Sequence, residues 1–152
     1  MSGKDQAVTL RGRWRKVLTD SEGNVKQVLE NSNVVCTNGK EFLASFLYSA
    51  AAAASTFTCR YVAIGTDSTA EAAANTALGV ESARVSGIVS YVSGQIYRVT
   101  ATFPAGTGTG AIVEYGLLSS SSGGTMLSRD TESVINKGAG DILTVTTELT
   151  VS

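Results

Sequence analysis

Apolar and polar residues alternate along AVTLRGRWRKVL, residues 7–18. Leu10, Gly12 and Trp14 fall on one side, and Arg11, Arg13 and Arg15 on the other. Period two marks a half-buried strand, because successive side chains point to opposite faces. TDSEGN (19–24) has turn chemistry and VKQVLENSNVV (25–35) returns as a second strand, so a hairpin is predicted. The period then lengthens. In NGKEFLASFLYSAAAAAS, Phe42, Leu43, Phe46, Leu47 and Ala50 recur at helical spacing. With Asn38 or Thr37 as cap, this predicts one amphipathic helix over 39–54, covering a sheet.

From Phe57 onward the chain reads as strands: FTCRYVAIG, ARVSGIVSYVSG, QIYRVTATF, GAIVEYGLLSS, TMLSRDT and DILTVTTELTVS. The turns between them carry Gly, Ser, Asp or Asn, as in VSGQ, GTGTG, SSSSGG and NKGAGD. Strands at this spacing predict a mainly β fold, an antiparallel β-sandwich or jelly roll with one amphipathic helix and an N-terminal hairpin. The expected organisation is a single domain over 1–152, with a basic hairpin arm at 1–32 and a sandwich at 33–152. Helices do not alternate with strands, which disfavours a nucleotide-binding α/β fold.

One segment interrupts the strands. IGTDSTAEAAANTALGVE, from Ile64 to Glu81, opens on a glycine after an apolar run, as a phosphate-cradling loop would. No Gly-Lys-Ser/Thr follows at the required spacing, so it is no P-loop. Gly65 permits a turn, Asp67 or Ser68 can cap a short helical turn at Ala70–Ala74, and Leu78 can pin the return. The segment is expected to be a surface loop, with Asp67 and Glu71 as candidate contacts to a neighbouring subunit.

Composition narrows the functional classes. The chain has 152 residues, 43% of them hydrophobic, enough for one real core. Charge is nearly balanced, with 12 basic and 13 acidic residues. Its distribution is not: residues 1–16 hold Lys4, Arg11, Arg13, Arg15 and Lys16 against Asp5, net +4, leaving 7 basic and 12 acidic residues, net −5. A row of guanidinium groups on one strand face points to contact with an acidic surface, and Arg11, Arg13 and Arg15 are the candidate partner contacts. A plain solvated face is the competing reading. Cys36 and Cys59 match no zinc or redox spacing and are expected as buried free thiols. No signal peptide is read at the start, and the longest apolar run is too short to span a bilayer.

There is no histidine, which removes Ser-His-Asp and Cys-His chemistry and imidazole metal ligation. Glu81 and Glu114 could serve as a glycosidase pair. Arg84 and Arg129 lie in equally apolar neighbourhoods, however, and a structural charge network of Glu81, Arg84, Glu114 and Arg129 accounts for all four. Tyr91 and Tyr97 do not interleave with a basic cluster, so base stacking is not expected. No catalytic residue, metal or cofactor is predicted.

An ordered series of motifs adds a resemblance. Asn33, Val35 and Gly39 form N-x-V-x-x-x-G ahead of the helix. YVAIGTDSTAEAAANTALGVESAR follows the form Y-x-A-x-G-T…T-A-L-x-x-E-x-x-R. IVEYGLLSSSSGGTMLSRDT follows E-x-G-L…GG-x-M-L-x-R, and KGAGDILTVTTELTV follows K-x-x-G-D-x-L-T-V. In this order, residues 33–152 resemble small virion proteins of tailed bacteriophages; the basic hairpin is not part of the pattern. The resemblance implies a non-enzymatic structural protein made in the host cytoplasm and carried in the virion. A capsid decoration (cement) protein, bound to the major capsid protein and homo-oligomeric, is the first expectation. A neck, tail, baseplate or fibre component is the alternative, and a carbohydrate-binding sandwich the third. Small-molecule substrates, direct nucleic-acid binding and membrane association are not expected.

Overall fold

The computed structural model describes residues 9–41, 59–93 and 96–151. Among these are nine strands: β1 (Leu10–Thr19), β2 (Val25–Val35), β3 (Tyr61–Gly65), β4 (Glu81–Ser86), β5 (Ile88–Ser93), β6 (Ile96–Phe103), β7 (Gly110–Leu118), β8 (Met126–Lys137) and β9 (Ile142–Val151). They pair antiparallel in the order β4-β3-β7-β8-β2-β1-β9-β6-β5. The two edge strands, β4 and β5, are consecutive in the chain and separated only by Gly87. The sheet is therefore nearly closed. Gly87 N–H donates to the Arg60 carbonyl at 2.7 Å, and a Cβ there would lie 2.4 Å from Val99 Cγ1, so the corner has room for hydrogen alone.

The antiparallel β class expected from the sequence is met, with three differences in the elements. ARVSGIVSYVSG is broken by the Gly87 corner into β4 and β5. TMLSRDT is only the first half of β8, which continues through Lys137. The basic hairpin is not an appended arm: β1 lies between β2 and β9 and pairs with β9 from Leu10 to Thr19.

Alternation in β1 becomes burial. Gly12, Trp14, Lys16 and Leu18 face inward, and Arg11, Arg13 and Arg15 outward. Trp14 and Leu18 join Val99 and Phe103 of β6, Leu143 and Val145 of β9, Ile64 of β3, Tyr115 of β7 and Ile135 of β8 in one core. A smaller cluster of Cys36, Ala63, Leu78, Leu118 and Met126 lies elsewhere, packed with Tyr61. Leu78 thus pins the return of the 66–80 segment, as the sequence suggested.

One ladder is short. β2 pairs with β8 only at Val34–Arg129 and Val35–Ser128. After β2, the Cys36 carbonyl accepts from Gly39 N at 3.0 Å and Lys40 N at 3.3 Å, which makes Cys36, not Thr37 or Asn38, the helix cap. Residues 37–41 are helical, and the remainder of the helix predicted over 39–54 lies outside the described residues.

Candidate functional site

Among the described residues, charged groups are organised in three places besides the Lys26–Asp141 pair. The first is where the 66–80 segment meets β7 and β8. A register irregularity between Ile112 and Glu114, where β8 advances from Ile135 to Thr131, changes which side of β7 faces the core. Ile112, Tyr115 and Leu117 point inward, and Glu114 turns to the side covered by 66–80. Its carboxylate is wholly buried and accepts from the backbone N–H groups of Asp67 (3.2 Å), Gly79 (2.9 Å) and Val80 (2.8 Å). Arg129, 2% exposed, donates to it through Nε at 3.3 Å and Nη2 at 2.9 Å.

The rest of the Arg129 guanidinium ties down the segment. It donates to the carbonyls of Thr69 (3.0 Å) and Ala70 (3.4 Å), to Asn75 Oδ1 (3.2 Å) and to Asp67 Oδ2 (3.4 Å). The helical turn expected at Ala70–Ala74 is absent, because carbonyls a helix would use are held by Arg129 instead. In its place a turn at Ala72–Asn75 is closed by Asn75 N–H on the Ala72 carbonyl and by Ala72 N–H on Asn75 Oδ1. Gly65 is not a turn residue. It is the last residue of β3, where a Cβ would sit 2.3 Å from the Val80 carbonyl and 2.4 Å from Glu114 Oε1.

The expected four-residue network is therefore two pairs. Glu81 and Arg84 bond to each other at 2.6 and 2.9 Å, and Arg84 Nη1 also donates to the carbonyls of Ser120 and Gly123, both at 2.8 Å. This second pair holds the β7–β8 turn, and no bond joins it to Glu114 or Arg129 among the described residues. Asp67 and Glu71, expected as partner contacts, are engaged within the chain. Asp67 accepts from Thr69 N–H and Oγ1, which hold its carboxyl below the usual range with help from Arg129. Glu71 accepts from Thr131 Oγ1.

The second place is the outer face of β2, β1, β9 and β6. Arg13 Nη2 and Arg15 Nε both donate to Glu30, at 2.7 and 2.8 Å, and Arg98 grips Glu148 Oε1 at 2.7 and 2.5 Å. The Arg13 hydrogen bond, ahead of Arg15, keeps the Glu30 carboxyl below its ordinary value. Arg13, Arg15, Arg98, Thr100, Thr146 and Glu148 line a shallow concavity of about 310 Å³. The arginine row is thus partly neutralised by its own chain, with Glu30 and Glu148 supplying acids that the sequence reading had assigned to a partner. Arg11 extends the row and has no bond among the described residues.

The third place was missed. Lys16, counted with the basic surface in the sequence, is wholly buried. It is ion-paired to Asp130, also wholly buried, and donates to Asn31 Oδ1 at 2.6 Å. Asn31 Nδ2 donates to the other Asp130 oxygen at 2.5 Å. The Tyr115 ring lies under the amine, 4.6 Å to its centroid, and Trp14 stands 6.2 Å from that ring. Burial lowers the Lys16 amine and raises the Asp130 carboxyl, each against the pull of the other's charge. Trp14 Nε1 and Tyr115 Oη are buried without a partner. The period-two reading could have found Lys16, since it lies in register with Trp14 rather than with the arginines.

Cys36 and Cys59 are buried free thiols, each pushed up by burial. Tyr97 donates to the Cys59 carbonyl at 2.6 Å and is pushed up to about 12, mainly by burial. The side chain of Tyr91 lies outside the described residues. Among the described residues no cluster of three or more Cys, Asp or Glu is placed to hold a metal ion, and no helix is long and apolar enough to cross a membrane. Comparison with protein-family models, with curated proteins and with solved structures finds no match to this chain.

Proposed function

We propose that this chain is a non-enzymatic structural component of a tailed-phage virion, a capsid decoration protein that docks on the head shell through the outer face of β1, β2, β6 and β9. The observation that carries the docking surface is its oriented charge: among the described residues, Arg11, Arg13, Arg15 and Arg98 lie on that side of the sheet, with Glu30 and Glu148 between them. Guanidinium groups already held by carboxylates lose little side-chain entropy when a further acidic surface approaches. The virion setting is supported by the ordered motifs over 33–152. In the same reading the nearly closed sheet is a flattened one, its halves facing each other as the layers of a sandwich.

The test is direct. Arg11, Arg13 and Arg15 are changed together to serine, and binding to purified expanded heads, to tails and to polysaccharide is measured at low and high salt. Binding to heads that weakens with salt and with the substitutions is expected. Binding to tails alone would move the protein to the neck, tail or baseplate. Polysaccharide binding alone would replace the virion reading with a carbohydrate-binding one.

A further inference from the structure

Lys16, Asn31 and Asp130 are arranged for a reaction among themselves. We propose that Lys16 and Asn31 join through a spontaneous intramolecular isopeptide bond between Nζ and Cγ, with Asp130 as the proton-transferring group. An amine, a carboxamide and a carboxyl group lie in mutual contact, and each is positioned for one part of the chemistry. The amine is 2.6 Å from Asn31 Oδ1, and Cγ is one C=O bond, about 1.2 Å, beyond that oxygen. One Asp130 oxygen touches the nucleophile and the other touches Nδ2, the leaving group, at 2.5 Å. Trp14 and the Tyr115 ring shield the site from water.

The step balances without a co-reactant. The Lys16 ammonium gives a proton to Asp130, leaving a free amine and a carboxylic acid. The amine lone pair forms the Nζ–Cγ bond while the carbonyl pair moves to Oδ1. Asp130 delivers its proton to Nδ2, and the Cγ–Nδ2 bond breaks as the carbonyl re-forms. Ammonia departs past the half-buried Asn31 side chain, and the second amine proton stays on Asp130. The products are a secondary amide, ammonia and a neutral carboxyl group. Two buried ions are thereby removed, which favours the forward direction in a low-dielectric interior. The same burial that lowers the amine and raises the carboxyl favours the proton transfer with which the step opens.

Position gives the bond a use. Lys16 and Asn31 belong to β1 and β2, and Asp130 to β8, next to the two-residue ladder that joins β2 to β8. A covalent link there fixes the β1–β2 register beside the short β2–β8 ladder, without spanning it.

The experiment is mass spectrometry of the purified full chain, intact and after trypsin. The expected result is a molecule lighter than its sequence by one ammonia. A branched peptide should join the segments that hold Lys16 and Asn31, uncut after Lys16. Lys16→Arg should show the full mass, and Asp130→Asn should form the link at least about a hundredfold more slowly. Asn31→Asp, which preserves shape, should lose one water in place of ammonia. Full mass with Lys16 and Asn31 free in the wild-type protein overturns the proposal. A wild-type loss of water with Lys16 joined to Asp130 overturns Asn31 as the acceptor, and an Asn31→Asp chain still losing ammonia does the same.

Discussion

The two wholly buried ion pairs among the described residues are built on opposite plans. Glu114 and Arg129 are surrounded by matching groups: three backbone N–H donors for the carboxylate, and two carbonyls with Asn75 Oδ1 and Asp67 for the guanidinium. Among the described residues, Lys16 and Asp130 have only each other and Asn31 as hydrogen-bond partners, with the Tyr115 ring under the amine and a Trp14 Nε1 and a Tyr115 Oη that have no partner. A saturated pair has its charge spread over many fixed dipoles and holds its position. A sparsely bonded pair remains close to exchanging its proton. The difference teaches that burial of charge alone does not mark a structural pair; the number of additional partners does.

Paired apolar replacement should separate the two plans most widely. Arg129→Met leaves a buried carboxylate without its cation and should cost about 3–5 kcal/mol. Adding Glu114→Leu should not rescue it, because the N–H groups of Asp67, Gly79 and Val80 each lose a partner, at about 1–3 kcal/mol apiece. Lys16→Met with Asp130→Leu should instead be rescued, lying about 2 kcal/mol or more above either cross-link-free single variant. Urea unfolding measures both, and equal rescue in the two cases would erase the distinction.

Two glycines sharpen the same contrast at smaller cost. Gly65→Ala drives a Cβ into the Val80 carbonyl and Glu114, atoms that the saturated centre holds fixed, and should cost about 2–3 kcal/mol. Gly12→Ala meets only the Asn33 side chain, whose Oδ1 has no partner to lose when it rotates. Its cost should stay below about 1.5 kcal/mol, and a larger loss than at Gly65 would show the hairpin side to be the stiffer one.

Lys26 and Asp141 provide a more exposed comparison. Asp141 is held below its ordinary value, first by the Lys26 hydrogen bond and then by Gly138 N–H. A depressed carboxyl contributes stability above its unfolded value, about pH 4, and loses it as pH falls through the lower folded one. Wild-type and Asp141→Asn unfolding curves should therefore differ at pH 6 or so and converge toward about pH 3. Curves separated equally at both ends would exclude this titration. Smallest of all, Arg13→Ser or Arg15→Ser alone should change stability by less than about 0.5 kcal/mol, since either leaves Glu30 the other arginine.

How far the sequence showed this depends on the range of each interaction. Period two in β1 was readable because it is local, and it placed Trp14 inside and the arginines outside. Lys16 followed the same period but was overruled by the habit of counting lysine as surface; its partner Asp130 lies 114 residues away. Glu114 and Arg129 stood out as charges in apolar runs, yet their neighbourhoods could not tell that Glu81 and Arg84 pair separately. The alanines at 70–74 favoured a helix on propensity, and Arg129, reaching from β8 to the Thr69 and Ala70 carbonyls, decided otherwise.

The position of β1 between β2 and β9 bears on how the chain is made. As synthesis proceeds, β1 acquires its first neighbour early and its second only when β9 emerges from the ribosome. For most of that interval one long strand edge stays open, the kind of template on which nascent chains pair with each other. Closure through contacts so distant along the chain is slow, in the millisecond-to-second regime of β-rich topologies. The arginines on that strand, only partly neutralised by Glu30, disfavour pairing with the same strand of another copy during the wait. They act as gatekeepers of assembly, whatever surface they meet afterwards.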